Sequence, residues 1–269
     1  MIPEGFNYSQ SSLKAFGECR RRFLLRYLRR MEWPAPLTDR LSEWEGAINR
    51  GSQFHHLILQ QSLGLDVEES ICRSDDQLLV DWWRNWCELG PELPPGKVFS
   101  EIMLSVPLAS RRLVAKFDRV LADEDGGAWI FDWKTGRKKP DEAAYMLSWQ
   151  TLVYRFVLAE AGAVLNTGRV VDPQQIMLVY WHANYPRELC SIGYSAEEHE
   201  EARVKLAQIT AEIEVLAEEL DFAKTDDLRV CSRCEFHTYC GRQSKRDGDW
   251  DVEEEREMSQ NPNFETGLE

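Results

Sequence analysis

The stretch "VAKFDRVLADEDGGAWIFDWK", Val114 to Lys134, constrains the fold of this chain more than any other. Two runs rich in apolar residues flank Asp-Glu-Asp-Gly-Gly, the pattern of an antiparallel hairpin. Centred on Asp125, its paired residue numbers sum to 250, and Asp118 stands opposite Asp132. Directly opposed residues hold their Cβ atoms about 4.5–5.5 Å apart on one face. Two carboxylates there repel one another, and a hard divalent cation that accepts both is one compensation. Lys134 is two residues on and shares the face of Asp132. A purely structural Asp–Lys–Asp cluster at a sheet edge is the other reading, and the hairpin alone leaves both open.

Around the hairpin the pattern alternates between helix and strand. Apolar Leu13, Phe16, Phe23, Leu24 and Tyr27 recur at helical spacing, which predicts one helix over Ser9 to Arg30 with Ser9 as its cap. Further helices are expected over Gly46 to Leu63 and Asp75 to Leu89. "GPELPPG" then breaks the chain before strands at Val98 to Val106, Leu113 to Leu121 and Ala128 to Trp133. A helix opened by Pro140 runs to about Gly162, and "QIMLVYWH" and "ELCSIGY" read as two more strands. Ser195 with Glu198 forms a capping box for a long acidic helix reaching about Leu220. The expected fold class is α/β, a central mixed sheet flanked by helices, in a single domain over 1–246 followed by an acidic, disordered tail over 247–269.

The net charge of −14 argues against a nucleic-acid binder until its distribution is considered. Ala196 to Asp227 holds eleven acids and three bases, and Asp247 to Glu269 nine acids and one base, so the remainder carries about +2. Within that remainder, "LKAFGECRRRFLLRYLRR" is strongly basic. A local basic face can meet phosphates while the total stays negative, although a solvated face has the same composition. No basic start with an apolar run opens the chain, and no apolar stretch approaches the roughly 18 residues of a spanning helix. We therefore expect a cytoplasmic protein with no membrane partner. Its seven cysteines, an odd number without a secretory context, point to metal ligation or burial before a disulfide framework.

Two helical pairs carry further chemistry. Gly51 and His55 are one turn apart, where a glycine permits close approach of another backbone. Gln150 and Tyr154 also share a face. In order, the chain thus shows "GSQFH", "KFDRV", "FDWKTG" and "QTLVY". This resembles the PD-(D/E)XK nuclease superfamily, in particular its RecB-like branch with the CRISPR-associated iron–sulfur exonucleases: G-x-x-x-H, an aspartate, (D/E)-x-K and Q-x-x-x-Y. Each motif is weak alone; four in order are specific, and they cover roughly Ser9 to Cys240. Two departures stand out. "VAKFD" lacks the glycine frequent before the first aspartate, and Asp132 replaces the commoner glutamate. Neither removes a reactive group.

Cys231, Cys234 and Cys240 form C-x2-C-x5-C, and Cys19 lies in the first helix. Four thiolates suit either a [4Fe–4S] cluster or Zn²⁺. The resemblance favours the cluster, since iron–sulfur members of the branch pair one N-terminal cysteine with such a trio. It implies an iron–sulfur lobe built from 9–30 and 228–246. Cys72, Cys87 and Cys190 are read as core residues.

The resemblance also implies an activity, metal-dependent hydrolysis of DNA, acting on single strands or free ends, in DNA repair, recombination or CRISPR spacer acquisition. His55, Asp118, Asp132 and the Trp133 carbonyl would hold Mg²⁺ or Mn²⁺. Asp118, Asp132 and Lys134 would be catalytic, with Gln150 and Tyr154 in support, and Glu101 matches an accessory acid loosely. Arg20, Arg21, Arg22 and Arg26, with Arg29 and Arg30, are candidate phosphate contacts. A non-catalytic DNA-binding subunit, partnering a helicase or CRISPR integration proteins, is the alternative. The intact acid–acid–lysine set speaks against it.

Overall fold

The computed structural model describes residues 2–31, 39–123, 125–139 and 141–242, with the main chain alone over 39–45. The acidic tail, residues 243–246 of the expected lobe and Pro140 lie outside the described residues. Five strands form one mixed sheet in the order β1 (Lys97–Leu108), β2 (Arg111–Ala122), β3 (Ala128–Lys134), β4 (Ile176–His182) and β5 (Cys190–Gly193). Only β3 and β4 run parallel; the other neighbours are antiparallel. Before β1 the described residues form α1 (Gln10–Glu18), α2 (Arg20–Phe23, continuing as a π-turn Leu24–Leu28), α3 (Asp39–Ser62), α4 (Glu68–Cys72) and α5 (Gln77–Leu89). The β3–β4 crossover passes through α6 (Glu142–Met146) and α7 (Trp149–Ala161). Beyond β5 come α8 (Ala196–Glu214) and α9 (Leu228–Ser232).

The sheet is covered on both faces, so its central strands are buried nearly throughout. One face carries Leu113, Ile130, Leu178 and Tyr180 against α1, α2, α7 and α8. The other carries Phe131, Trp133, Val179 and Trp181 against Phe54 and Ile58 of α3 and the tryptophans of α5. β3 is the middle strand, not an edge, which removes the edge-cluster reading of Asp132 and Lys134.

Three expected helices are shorter or broken. The single helix over Ser9 to Arg30 starts as anticipated, with Ser9 Oγ accepting from Ser12 N at 3.2 Å, but stops at Cys19, whose backbone is extended. The break frees amides of α2, and Ala223 O takes that of Arg21 at 3.1 Å, a partner from the far end of the chain. The helix expected to run to Gly162 is interrupted at Ser148, whose Oγ caps α7 through Thr151 N at 3.1 Å. The acidic helix keeps its Ser195–Glu198 capping box but ends at Glu214, short of Leu220. There the Asp221 carboxylate takes the amides of Ala217 and Glu218 at 2.9 Å each, closing a tight turn instead.

Candidate active site

The hairpin has the expected register: Arg119 pairs with Phe131, Val120 with Ile130 and Leu121 with Trp129. Pairing ends at Arg119 and Phe131, however, so Asp118 and Asp132 are not a ladder pair. The strands fork there. The amide of Trp133, which faces β2, donates to Asp118 Oδ2 at 2.9 Å, so a carboxylate occupies the place of a main-chain acceptor. β1 and β2 kink at the same point. Phe117 and Val120 both point to the α7 face, whereas Arg119 lies over the Trp86 and Trp133 rings on the other. On β1, Phe99 and Ile102 face α7 together. A strict period of two would separate the members of each pair, so the alternation slips by one residue in both strands.

Glu101 sits at that slip, between the pairs Ser100–Arg119 and Ile102–Phe117. Its φ is +50°, the left-handed region that an L side chain adopts at a cost of about 1–3 kcal/mol. Its carboxylate is 2.9 Å from Lys116 Nζ. From the opposite layer, His55 of α3 reaches the fork: Nδ1 is 3.1 Å from Asp118 Oδ1 and Nε2 is 3.0 Å from the Trp133 carbonyl. One ligand atom each from His55, Glu101 and Asp118 lie within 4.8 Å of one another. Two carboxylates with one imidazole, beside a carbonyl, suit a hard or borderline divalent cation.

Asp132 is fully buried and belongs to a second group, on the α7 side of β3. Its Oδ2 is 2.8 Å from Lys134 Nζ, and its Oδ1 accepts from Gln150 Nε2 at 2.8 Å. Gln150 Oε1 in turn accepts from Lys134 Nζ at 2.8 Å. The three side chains close a ring that fixes the lysine's position. Lys134 Nζ also lies 5.6 Å over the Tyr180 ring, a cation–π placement. Tyr180 is held by Thr151 Oγ1 at 2.8 Å and stacked by Tyr145 at 4.2 Å, and Tyr145 Oη is 2.8 Å from His182 Nε2. Tyr154 is buried one turn from Gln150, with its ring 4.8 Å from that of Phe117, the residue before Asp118. The structure therefore joins His55, Asp118 and the Trp133 carbonyl with Glu101, and joins Asp132 with Lys134 and Gln150.

Away from the strand fork, Cys19, Cys231, Cys234 and Cys240 line one cavity together with Arg22, Phe236 and His237. The extended backbone at Cys19 is what separates it from helical neighbours and lets it meet the C-terminal trio. Burial pushes the thiols of Cys231, Cys234 and Cys240 up, and the nearby Cys19 sulfur adds to the rise. Cys190 is buried, as expected, but Cys72 and Cys87 are exposed rather than core. The arginines of this region meet acids. Arg20 is 2.9 Å from Glu212 and Arg21 is 2.7 Å from Glu219, which also binds Arg29. Arg22 is 3.1 Å from Glu235, which also binds Arg26. These acids all lie in or beyond the acidic helix, so the basic and acidic runs of the sequence neutralise each other across the fold.

Tyr180, His182, Asn184 and Tyr185 surround Lys134 and the loop after it, and no motif in the sequence marks them. They arrive through the parallel β3–β4 pairing, which sets Lys134 beside His182. The sequence marks "QIMLVYWH" as a strand but does not say which strand it joins.

Among solved structures the chain is similar to SSO0001, with 13% identity, a TM-score of 0.40 and coverage of 89% of this chain and 88% of that one. It is also similar to a candidate exonuclease from Eubacterium rectale, with 10% identity, a TM-score of 0.41 and coverage of 77% and 79%. No curated protein matches it in sequence. The family model of the PD-(D/E)XK nuclease superfamily matches residues 7–241, nearly the whole chain, and spans both groups of the fork. The chain belongs to the PD-(D/E)XK nuclease superfamily.

Proposed function

We propose that this nuclease is a metal-dependent deoxyribonuclease of the RecB-like kind, acting in the cytoplasm on DNA with free ends during repair, recombination or spacer acquisition. The observation that carries the reading is the convergence of His55, Glu101 and Asp118 beside the Asp132–Lys134–Gln150 ring. His55, Glu101, Asp118 and the Trp133 carbonyl would hold Mg²⁺ or Mn²⁺, with Asp132 close by in the strand. Such an ion would polarise the scissile phosphate and lower the pKa of an attacking water.

The residues of the chain supply the rest. Lys134 places a positive charge where negative charge grows on the phosphoryl oxygens, and fixed charge there costs no reorganisation during reaction. Asp132 and Gln150 hold that ammonium in place. Tyr180 and the Tyr145–His182 pair wall off one side, which strengthens every electrostatic contact by excluding water. Among the described residues no helix is long and apolar enough to cross a membrane.

The cysteine cavity is proposed to hold a [4Fe–4S] cluster of structural role. Four thiols lining one cavity suit either such a cluster or Zn²⁺, and the nuclease motifs beside them favour the cluster. Hydrolysis needs no redox step, so the lobe serves to tie the N-terminal helices to the C-terminal trio.

Digestion of labelled DNA tests the activity. Linear DNA should be degraded with Mn²⁺ or Mg²⁺ and survive in EDTA, while closed circles survive in both. Nicked circles would make the enzyme an endonuclease, and intact linear DNA in every divalent ion would overturn the reading. Anaerobically purified protein should be brown, with broad absorbance near about 400 nm, whereas zinc gives a colourless protein.

A further inference from the structure

We infer that the loop from Thr135 to Lys139, immediately after the active-site lysine, is the phosphate-binding track for the substrate strand, with Arg137 and Lys138 as its cations. The inference deepens the nuclease reading and rests on it. Three observations carry it.

The loop is built rather than loose. Four successive carbonyls are taken by three consecutive residues after β4. Ala183 N donates to Lys134 O at 2.8 Å. Asn184 Nδ2 donates to Thr135 O at 3.0 Å and to Gly136 O at 2.9 Å. Tyr185 Oη donates to Arg137 O at 3.0 Å. Asn184 is itself held from α5, where Trp82 Nε1 donates to its Oδ1 at 2.8 Å, and Asn85 Nδ2 donates to Ala183 O at 2.8 Å. A loop ordered in advance loses little entropy when a ligand arrives.

Its cations are available. Arg137 and Lys138 are exposed, and among the described residues neither forms an ion pair. Lys139 is 3.2 Å from Glu188, and Asp141 is engaged as the cap of α6 through Ala144 N at 3.3 Å. The α2 arginines, by contrast, already face carboxylates.

The loop is also in the right place. Arg137 follows Lys134 by three residues, so their Cα atoms are at most about 11 Å apart. That reach brings its guanidinium to a phosphate beside the scissile one. Contacts of this kind position a strand without reading its sequence.

Fluorescence anisotropy with a labelled single-stranded oligonucleotide in EDTA, across a salt series, tests the assignment without cleavage. Each lost phosphate contact lowers the log–log salt slope by about 0.7 for a single strand. Arg137→Ala with Lys138→Ala should therefore reduce the slope by about 1.4 and weaken binding about 25-fold at 0.1 M salt. Arg20→Ala, which removes a paired charge, should leave slope and affinity as they are. A loop variant with the wild-type slope overturns the inference, as does a wild type that binds no DNA, or a slope that falls with Arg20→Ala instead. Cleavage by the wild type in Mn²⁺ is scored separately. Intact cleavage with an unchanged loop slope sinks the loop alone, and absent cleavage sinks the nuclease reading.

Discussion

The fork and the cysteine lobe both collect charged side chains from distant parts of the chain, and they arrange them in opposite ways. Around the lobe, carboxylates turn toward guanidinium groups: Glu235 toward Arg22 and Arg26, Glu219 toward Arg21 and Arg29. At the fork, Glu101 and Asp118 turn toward one another and toward His55, although Lys116 lies beside Glu101. A matched cluster needs nothing from outside and is a fastening. A cluster whose ligand atoms converge calls for a cation between them, and β1 accepts a strained Glu101 to make it converge. The composition of the two regions does not distinguish them; the direction of the side chains does.

The largest effect that separates the regions is on catalysis. Asp118→Ala and Asp132→Ala should each lower kcat by about 10³-fold or more, the loss of several kcal/mol of charge stabilisation. Arg20→Ala should leave kcat unchanged in the same assay. Next comes Cys19→Ala, which should bleach the anaerobic protein, empty its iron and lower stability, because binding energy at such a site is also folding energy. Full iron content and an unshifted melt in this variant would separate the N-terminal helices from the cysteine site.

Glu235→Ala removes the carboxylate that Arg22 and Arg26 share, while Arg22 keeps Glu18, and should cost about 2 kcal/mol. A melting temperature within a degree of wild type would end the description of the lobe as a matched fastening. Divalent metal probes the fork in the same way. Mn²⁺ at about a hundred times its Kd should stabilise the wild type by about 2.7 kcal/mol. Glu101→Gln should lose most of that gain, and a gain equal to wild type would remove Glu101 from the site. Smallest of all, Arg20→Ala breaks a solvent-exposed pair and should shift stability by less than about 1 kcal/mol.

Much of the fork was legible in the sequence because it is local. Asp118, Asp132 and Lys134 lie on one hairpin whose turn residues fix the register, and Gln150 reaches Asp132 and Lys134 from the first turn of α7. Glu101 was legible only as a loose match. Its place beside His55 and Asp118 depends on a simultaneous slip in two strands, which no pattern of apolar residues announces. The division of the acids, with Asp132 bound to Lys134 rather than grouped with His55, depends on where the strands part. The arginines are ambiguous for a related reason: a basic run looks the same whether it meets solvent, phosphate or an acidic helix nearly 200 residues away. Arg137 and Lys138 are unremarkable in sequence, and become notable only once Asn184 and Tyr185 are seen to hold the loop beneath them.

The central claim is that the fork divides its work, with one group holding metal and Lys134 acting on the substrate. Calorimetric titration with Mn²⁺ and cleavage of end-labelled linear DNA, run together on wild type and Lys134→Ala, test it most directly. Both proteins should bind Mn²⁺ with closely similar affinity, while only the wild type cleaves, the variant falling by about 10²–10³-fold in kcat. Cleavage by Lys134→Ala at the wild-type rate, or loss of Mn²⁺ binding together with cleavage, would contradict it.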